Sequence, residues 1–234
     1  MTRSLLATLA CLALLLVTPA LSVASGGETI GDAPPLNLGT VETGGAHFID
    51  FWRVQLYQGD VITFDADLSN YDAGTIFDLF APSVNEYTLS HTQAAAATGR
   101  LPAEKQQFTL TSPFTGMGTL SVCQTESPDC TVGGFKENPY TFTASVTHAV
   151  SLAVSAPILA RPRSRVTVSA VVQSPAGSPQ GACLIQGIEA PLTGGHCARR
   201  VRLGRTGRQT VRVSFVPDDG WQEASGARHI RLAR

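Results

Sequence analysis

Asp50-Phe51-Trp52-Arg53-Val54-Gln55-Leu56-Tyr57-Gln58-Gly59-Asp60-Val61-Ile62-Thr63-Phe64-Asp65-Ala66-Asp67-Leu68 is the stretch that decides the fold class. Phe48, Asp50, Trp52, Val54 and Leu56 share one face of an alternating run. After a turn at Gln58-Gly59-Asp60, Ile62, Phe64, Ala66 and Leu68 form a second inward row. A period of two is the mark of a half-buried strand, because successive side chains point to opposite faces of a sheet. The same pattern returns at Ile76 to Phe80, Gln107 to Thr111, Thr119 to Cys123 and Tyr140 to Val146. Asp78, between Phe77 and Leu79, is expected on the opposite face as a hydrogen-bonding acid. Only Ala94 to Ala97 offers a helical turn, and Thr98-Gly99 ends it. Further on, Val166, Val168, Ala170 and Val172 alternate, as do Val201 with Leu203, Val211 with Val213 and Phe215, and Ile230 with Leu232. Arginines fill many of the intervening positions. Inward Val with outward Arg suits an antiparallel strand and discourages edge-to-edge pairing. The pattern predicts an all-β chain built of β-sandwiches.

The 234-residue chain opens with Arg3 and an apolar run from Leu5 to Val17, followed by small residues at Ser22-Val23-Ala24. That run is short for a bilayer span and has the order of a cleaved export signal over residues 1–24. The expectation is a secreted or cell-envelope protein with no transmembrane segment in the mature chain. Net charge is −1, but its distribution is uneven. Ser25 to His148 holds four Lys+Arg against fourteen Asp+Glu, a balance of −10; Ala149 to Arg234 holds twelve Arg against four acids, a balance of +8. Such asymmetry predicts two folding units, 25–148 and 149–234.

Four cysteines remain after the export signal: Cys123, Cys130, Cys183 and Cys197. In an exported chain an even count reads as disulfides, with three possible pairings. Cys123–Cys130 with Cys183–Cys197 keeps each bridge inside its own half. A four-cysteine zinc site is the rival, and it lacks a Cys-x-x-Cys knuckle.

Residues 39–147 resemble the bacterial pre-peptidase C-terminal domain family of small sandwich modules found on secreted hydrolases. The likeness rests on Asp50 to Asp60 as the opening strand and turn, Phe77-Asp78-Leu79-Phe80-Ala81-Pro82 as a central strand, Met117-Gly118-Thr119-Leu120-Ser121-Val122 as a late Gly-Thr strand and Asn138 to Val146 as the closing strand. Residues 149–234 resemble bacterial Ig-like repeats through Gln180-Gly181-Ala182-Cys183, Thr193 to Ala198 and Gly207-Arg208-Gln209-Thr210-Val211-Arg212-Val213-Ser214-Phe215. The segment Val216 to Ser225 departs from the usual turn of that family but keeps an acid and an aromatic. The resemblances imply a jelly-roll-like β-sandwich followed by an Ig-like β-sandwich, extracellular and non-catalytic.

No Gly-x-Ser-x-Gly elbow, His-Glu-x-x-His pair, Walker loop or dinucleotide fingerprint is present, and the five histidines stand singly. The expectation is therefore not an enzyme. Asp65, Asp67 and Asp72, with Asn70, are candidate calcium ligands, since calcium takes clustered hard oxygens. Position twelve from Asp65 is Ile76, so no EF-hand is present, and solvated acids with Asx-turn chemistry are the plainer reading. Trp221, after Asp218-Asp219-Gly220, is a candidate exposed aromatic for stacking on a sugar. Arg200, Arg202, Arg212 and Arg231 are candidate contacts for an acidic envelope polymer or polysaccharide, although an Ig-like topology need not put all four on one sheet. No motif for specific nucleic-acid recognition accompanies them. These features rank a secreted or cell-envelope binding or adhesion protein first. A structural spacer without its own ligand comes second, and a secreted hydrolase third.

Overall fold

A strand with one apolar face needs a second sheet to cover it, and both halves of this chain meet that need with facing sheets. The computed structural model describes residues 26–45, 49–67, 75–84, 95–101, 107–124 and 140–233. Among the described residues there is no helix. The first half contributes β1 (Val41–Gly44), β2 (Ile49–Leu56), β3 (Val61–Asp67), β4 (Thr75–Phe80), β5 (Ala97–Leu101), β6 (Gln107–Thr111), β7 (Gly116–Gln124) and β8 (Tyr140–Thr147). They form two sheets, ordered β1-β8-β3-β6 and β2-β7-β4-β5. The pairs β1–β8, β2–β7, β3–β6 and β4–β5 are all antiparallel, as when one long folded ribbon wraps round a core. That interleaving is a jelly roll. Ala97, expected to close a helical turn, instead begins β5, because Ala97 to Leu101 is held by cross-strand pairing to β4. Tertiary pairing overrides the local preference of an alanine run.

The core between these sheets gathers Trp52, Val54, Leu56, Ile62, Phe64, Phe77, Leu79, Leu120 and Phe142. Phe64 stacks on Phe108 at 5.2 Å between ring centroids, and Trp52 meets Phe142 edge-on at 5.1 Å. Phe48 and Leu68, expected in these rows, lie outside the described residues. One feature exceeds the alternation: Phe51, Phe80 and Ile76, on the outer face of the β2-β7-β4-β5 sheet, are buried as well. Residues 27–36 cover Phe51 and Phe80, whereas Ile76 packs with Cys123 and Ile49. Gly27 exchanges two main-chain hydrogen bonds with Phe51, Arg53 N–H donates to Pro34 O, and Leu36 N–H donates to Arg53 O. The segment thus pairs with the free edge of β2 and lays Ile30 and Ala33 against Phe51 and Phe80. Asp78, expected on the face opposite Phe77 and Leu79, is buried there. At the sheet's end Tyr140 O–H donates to Asp50 Oδ2 at 2.7 Å, and Gly45 N–H donates to the same oxygen at 2.7 Å. A Cβ on Gly44 would overlap the Tyr140 ring and stand 2.6 Å from that oxygen, so only glycine permits the approach.

The second half contributes β9 (Ser151–Ser155), β10 (Leu159–Ala160), β11 (Arg165–Gln173), β12 (Gly181–Ile185), β13 (Ile188–Pro191), β14 (His196–Arg202), β15 (Arg208–Pro217) and β16 (Ala224–Leu232). Its sheets run β14-β11-β9 and β10-β16-β15-β12-β13. The chain leaves the first sheet after β9, passes Pro157, and joins the second by pairing β10 parallel to β16. This switch of sheets over a three-against-five sandwich is Ig-like. Val168, Ala170, Val172, Val211, Val213, Phe215 and Ile230 fill the core, as the alternation predicted. Cys183 on β12 and Cys197 on β14 are bonded, both buried, with Cα atoms 6.3 Å apart. The bridge ties one sheet to the other, and it links a different strand pair from the B–F disulfide of antibody domains. Cys123 is also disulfide-bonded. Cys130 lies outside the described residues.

Between the halves sits a joint centred on Asp60, which is fully buried. Its Oδ2 accepts from Tyr57 N–H at 2.9 Å and lies 2.9 Å from His148 Nδ1; its Oδ1 accepts from Ala149 N–H at 2.9 Å. Gln222 Nε2 donates to Gly59 O at 2.8 Å and to Thr147 O at 3.2 Å. His148 N–H donates to Gly220 O and Gln222 N–H donates to His148 O. The His148 ring meets Tyr57 on one side at 6.2 Å and Trp221 on the other at 5.4 Å.

Three outcomes follow from these contacts. The Cys183→Ala, Cys197→Ala double variant should lose about 3 kcal/mol in urea unfolding, the chain-entropy value for a loop of about 15 residues; non-reducing peptide mapping should recover the Cys183–Cys197 link. Burial, with the Asp50 charge and hydrogen bond adding to it, holds the Tyr140 phenol well above its ordinary value of 10.0. The native state then binds more protons than the unfolded chain above that value, so stability should fall as pH climbs beyond it. Tyr140→Phe should flatten that alkaline decline, read from denaturation midpoints at successive pH values. Asp60→Ala leaves several donors without their acceptor, at about 1–3 kcal/mol for each one kept from water. A lowered unfolding midpoint and a broadened small-angle scattering profile are expected; an unchanged profile would show that the joint does not depend on this carboxylate.

Candidate functional site

Arg200 and Arg202 are exposed on β14, in the three-stranded sheet, whereas Arg212 on β15 and Arg231 on β16 are exposed on the five-stranded sheet. The four therefore look outward from opposite faces of one sandwich and form no single flat patch. Arg202 and Arg231 nevertheless come to the same end of it. Arg202 is the cross-strand partner of Arg165, and Arg231 is the cross-strand partner of Arg208. Sequence reasoning missed Arg165 and Arg208, because register alone pairs them with the expected residues.

The β10–β11 turn and the β14–β15 hairpin complete this end. Arg163 N–H donates to Gly204 O at 2.8 Å, and Leu203 N–H donates to Ser164 O at 2.9 Å. The end of β16 joins them, with Arg231 N–H donating to Ile158 O, Leu232 N–H to Gly207 O and Ala233 N–H to Ala160 O. Across 158–165, 202–208 and 230–233 the chain carries seven arginines, Arg161, Arg163, Arg165, Arg202, Arg205, Arg208 and Arg231, and no acid. All seven are exposed. The four acids of this half lie elsewhere: Glu189 on β13, and Asp218, Asp219 and Glu223 in the β15–β16 connection beside His148. Since β9 begins next to the joint and pairs Ser151 with Gln173, the Arg165 end of β11 is the end remote from the first sandwich. The result is a basic pole pointing away from the acidic half.

Trp221 belongs to the joint. Its main chain bridges His148, its ring is half-buried, and it stands at the opposite end from the pole. The loop position that made it a candidate for sugar stacking is the position that lets it pack on His148. Asp65 is exposed on β3; Asp67 follows on the same strand, while Asn70 and Asp72 lie outside the described residues. Among the described residues no group of three or more His, Cys, Asp or Glu gathers as a metal would require. Nor, among them, is any helix long and apolar enough to cross a membrane.

A cleft of about 400 Å³ opens at the pole, lined by Pro162, Arg205, Thr206, Gly207, Leu232 and Ala233. A broader recess of about 510 Å³ lies at the joint end, walled by Ser, Gly and Pro residues of 173–179 and by Gly194 and Gly195.

No family model matches the chain, and no curated protein matches it. Among solved structures, the chain is similar to one named a beta-galactosidase from Bacteroides fragilis, at 9% identity and a TM-score of 0.24. That likeness covers 85% of this chain and 34% of the other, so the chain spans about a third of that structure's length.

Proposed function

We propose that this is a secreted or cell-envelope binding protein, non-catalytic, whose Ig-like sandwich engages an acidic polymer through the arginine pole. The observation that carries the reading is the pairing of like charges: Arg165 opposite Arg202 and Arg208 opposite Arg231, with no acid among the segments that form the pole. Like charges directly across a ladder are destabilising. A polyanion would relieve that repulsion, and guanidinium forks suit carboxylate and phosphate groups alike. Jelly-roll-like and Ig-like modules of the kinds the sequence resembles are accessory to other activities, which agrees with a binding role. The acidic half is held off by the Asp60 joint, so it does not cover the pole.

The joint favours a second reading, in which the two sandwiches form a spacer that fixes geometry. The two readings differ in what the arginines do. On the binding reading, the mature chain should bind heparin, used as a polyanion probe, with affinity falling about tenfold or more between 50 and 300 mM salt as exposed charges are screened. The Arg202→Gln, Arg208→Gln double variant should gain about 0.2–1 kcal/mol of stability per relieved pair. It should also lose about fivefold in heparin affinity, equivalent to about 1 kcal/mol. A variant that gains stability and keeps its affinity, or a chain that ignores heparin at low salt, would leave the spacer reading in place.

A further inference from the structure

The cleft at the pole is lined by side chains of two chemical kinds. Pro162, Leu232 and Ala233 supply an apolar side, and Arg205 and Thr206 supply a fork of donors and a hydroxyl. Three chain segments form it, and main-chain hydrogen bonds tie each to another: Arg163 to Gly204, Leu232 to Gly207, and Ala233 to Ala160. Gly204 N–H also donates to Gln209 Oε1 at 2.7 Å, which stiffens the β14–β15 hairpin from within. Arg163 is held at a φ of 57°, in the left-handed region that a non-glycine side chain resists. Beneath the hairpin, Leu203 is buried in the core. The cleft is thus pre-shaped, and small-ligand sites are concave, partly apolar and largely formed in advance. Its volume of about 400 Å³ stands at the low end of the usual range of about 300–1,000 Å³, which suits one unit rather than an oligomer.

We propose that this cleft seats a single anionic sugar or polyol unit, with its charged group on Arg205 and Thr206 and its carbon skeleton against Pro162, Leu232 and Ala233. The inference rests on the pole as the polymer-binding surface and specifies the unit recognised there. A bare inorganic anion uses only the cationic wall, and a neutral sugar only the apolar one. A uronate or a polyol phosphate uses both. Arg161, Arg163, Arg208 and Arg231 then serve the neighbouring charges of a longer chain.

The test is a titration of the full mature chain, following the amide resonances of Thr206, Gly207 and Ala233 with four probes: glucuronate, glycerol 1-phosphate, inorganic phosphate and glucose. At least one of the first two should saturate these amides with a dissociation constant about fivefold or more below that of inorganic phosphate, and glucose should bind weaker still. The tighter of the two names the charged group, carboxylate or phosphate. Arg205→Gln should weaken that probe by about fivefold or more. Thr206→Trp, filling an exposed part of the cleft, should abolish saturation without lowering the melting temperature. Arg53→Gln, on the first sandwich, removes the same charge elsewhere and should leave the constant unchanged. The proposal is overturned if neither organic anion binds more tightly than phosphate, or if both Arg205→Gln and Thr206→Trp bind as the parent does. Heparin binding separates this from the broader reading. If heparin binds and the small anions do not occupy the cleft, the unit site falls and the polymer surface stands. If the small anions bind and heparin does not, the polymer reading falls and a small-anion site remains.

Discussion

The carboxylate of Asp60 is cut off from solvent, and protein N–H groups take the place of water around it. Buried carboxyl oxygens tolerate this only when donors of fixed geometry satisfy them. Two donors are the Tyr57 N–H in the β2–β3 turn and the Ala149 N–H in the connection between the halves, and His148 Nδ1 lies 2.9 Å from Oδ2. One carboxylate therefore binds a turn of the first sandwich to the chain that enters the second. Ring contacts carry the constraint onward, since His148 lies between Tyr57 and Trp221. Everything at the far end of the second sandwich takes its direction from this joint.

The first sandwich shows a related economy. A jelly roll has two sheets, and the outer face of each would ordinarily be wet. Here the β2-β7-β4-β5 sheet buries part of both faces, because residues 27–36 pair along β2 and deliver Ile30 and Ala33 to Phe51 and Phe80. The same pairing removes an exposed strand edge, a common route to unwanted association. All six residues of β4 are buried, Asp78 among them; Phe80 lies against Ile30 and Ala33, and Ile76 packs with Cys123 and Ile49. A purely alternating strand could not be covered in this way without apolar residues at the outward positions, and Ile76 and Phe80 supply them.

The second sandwich distributes charge with equal regularity. Arg165, Arg200, Arg202, Arg208, Arg212 and Arg231 follow the outward positions of their strands and are exposed by the same alternation that builds the core, whereas Arg199 shares the inward phase of Cys197 and is half-buried. Edge protection explains an arginine on β14, which ends its sheet. It explains less well an arginine on β15, a central strand, placed opposite another on β16. Cross-strand repulsion there is a standing cost to stability, and the cost is concentrated where a cleft also opens. Loops and strand ends are where folds commonly place recognition, because the scaffold beneath stays rigid while they vary.

Much of this was legible in the residues. Alternation of Trp52, Val54 and Leu56, or of Val211, Val213 and Phe215, fixes strand type and inward face, because a strand has one possible side-chain period. Spacing pointed to the Cys183–Cys197 bridge, and the charge count showed that acids and arginines divide between the halves. Other features depend on which segments meet. Ala97 became a strand because β4 offered it partners, and Trp221 became part of a joint because His148 stood beside it. The pole could not be read in advance for the same reason. Arg165 and Arg202 are 37 positions apart, and only the register of β11 on β14 places them side by side. Period and composition are local properties that a sequence carries by itself; register, sheet order and the direction a joint imposes are long-range, and the tertiary structure decides them.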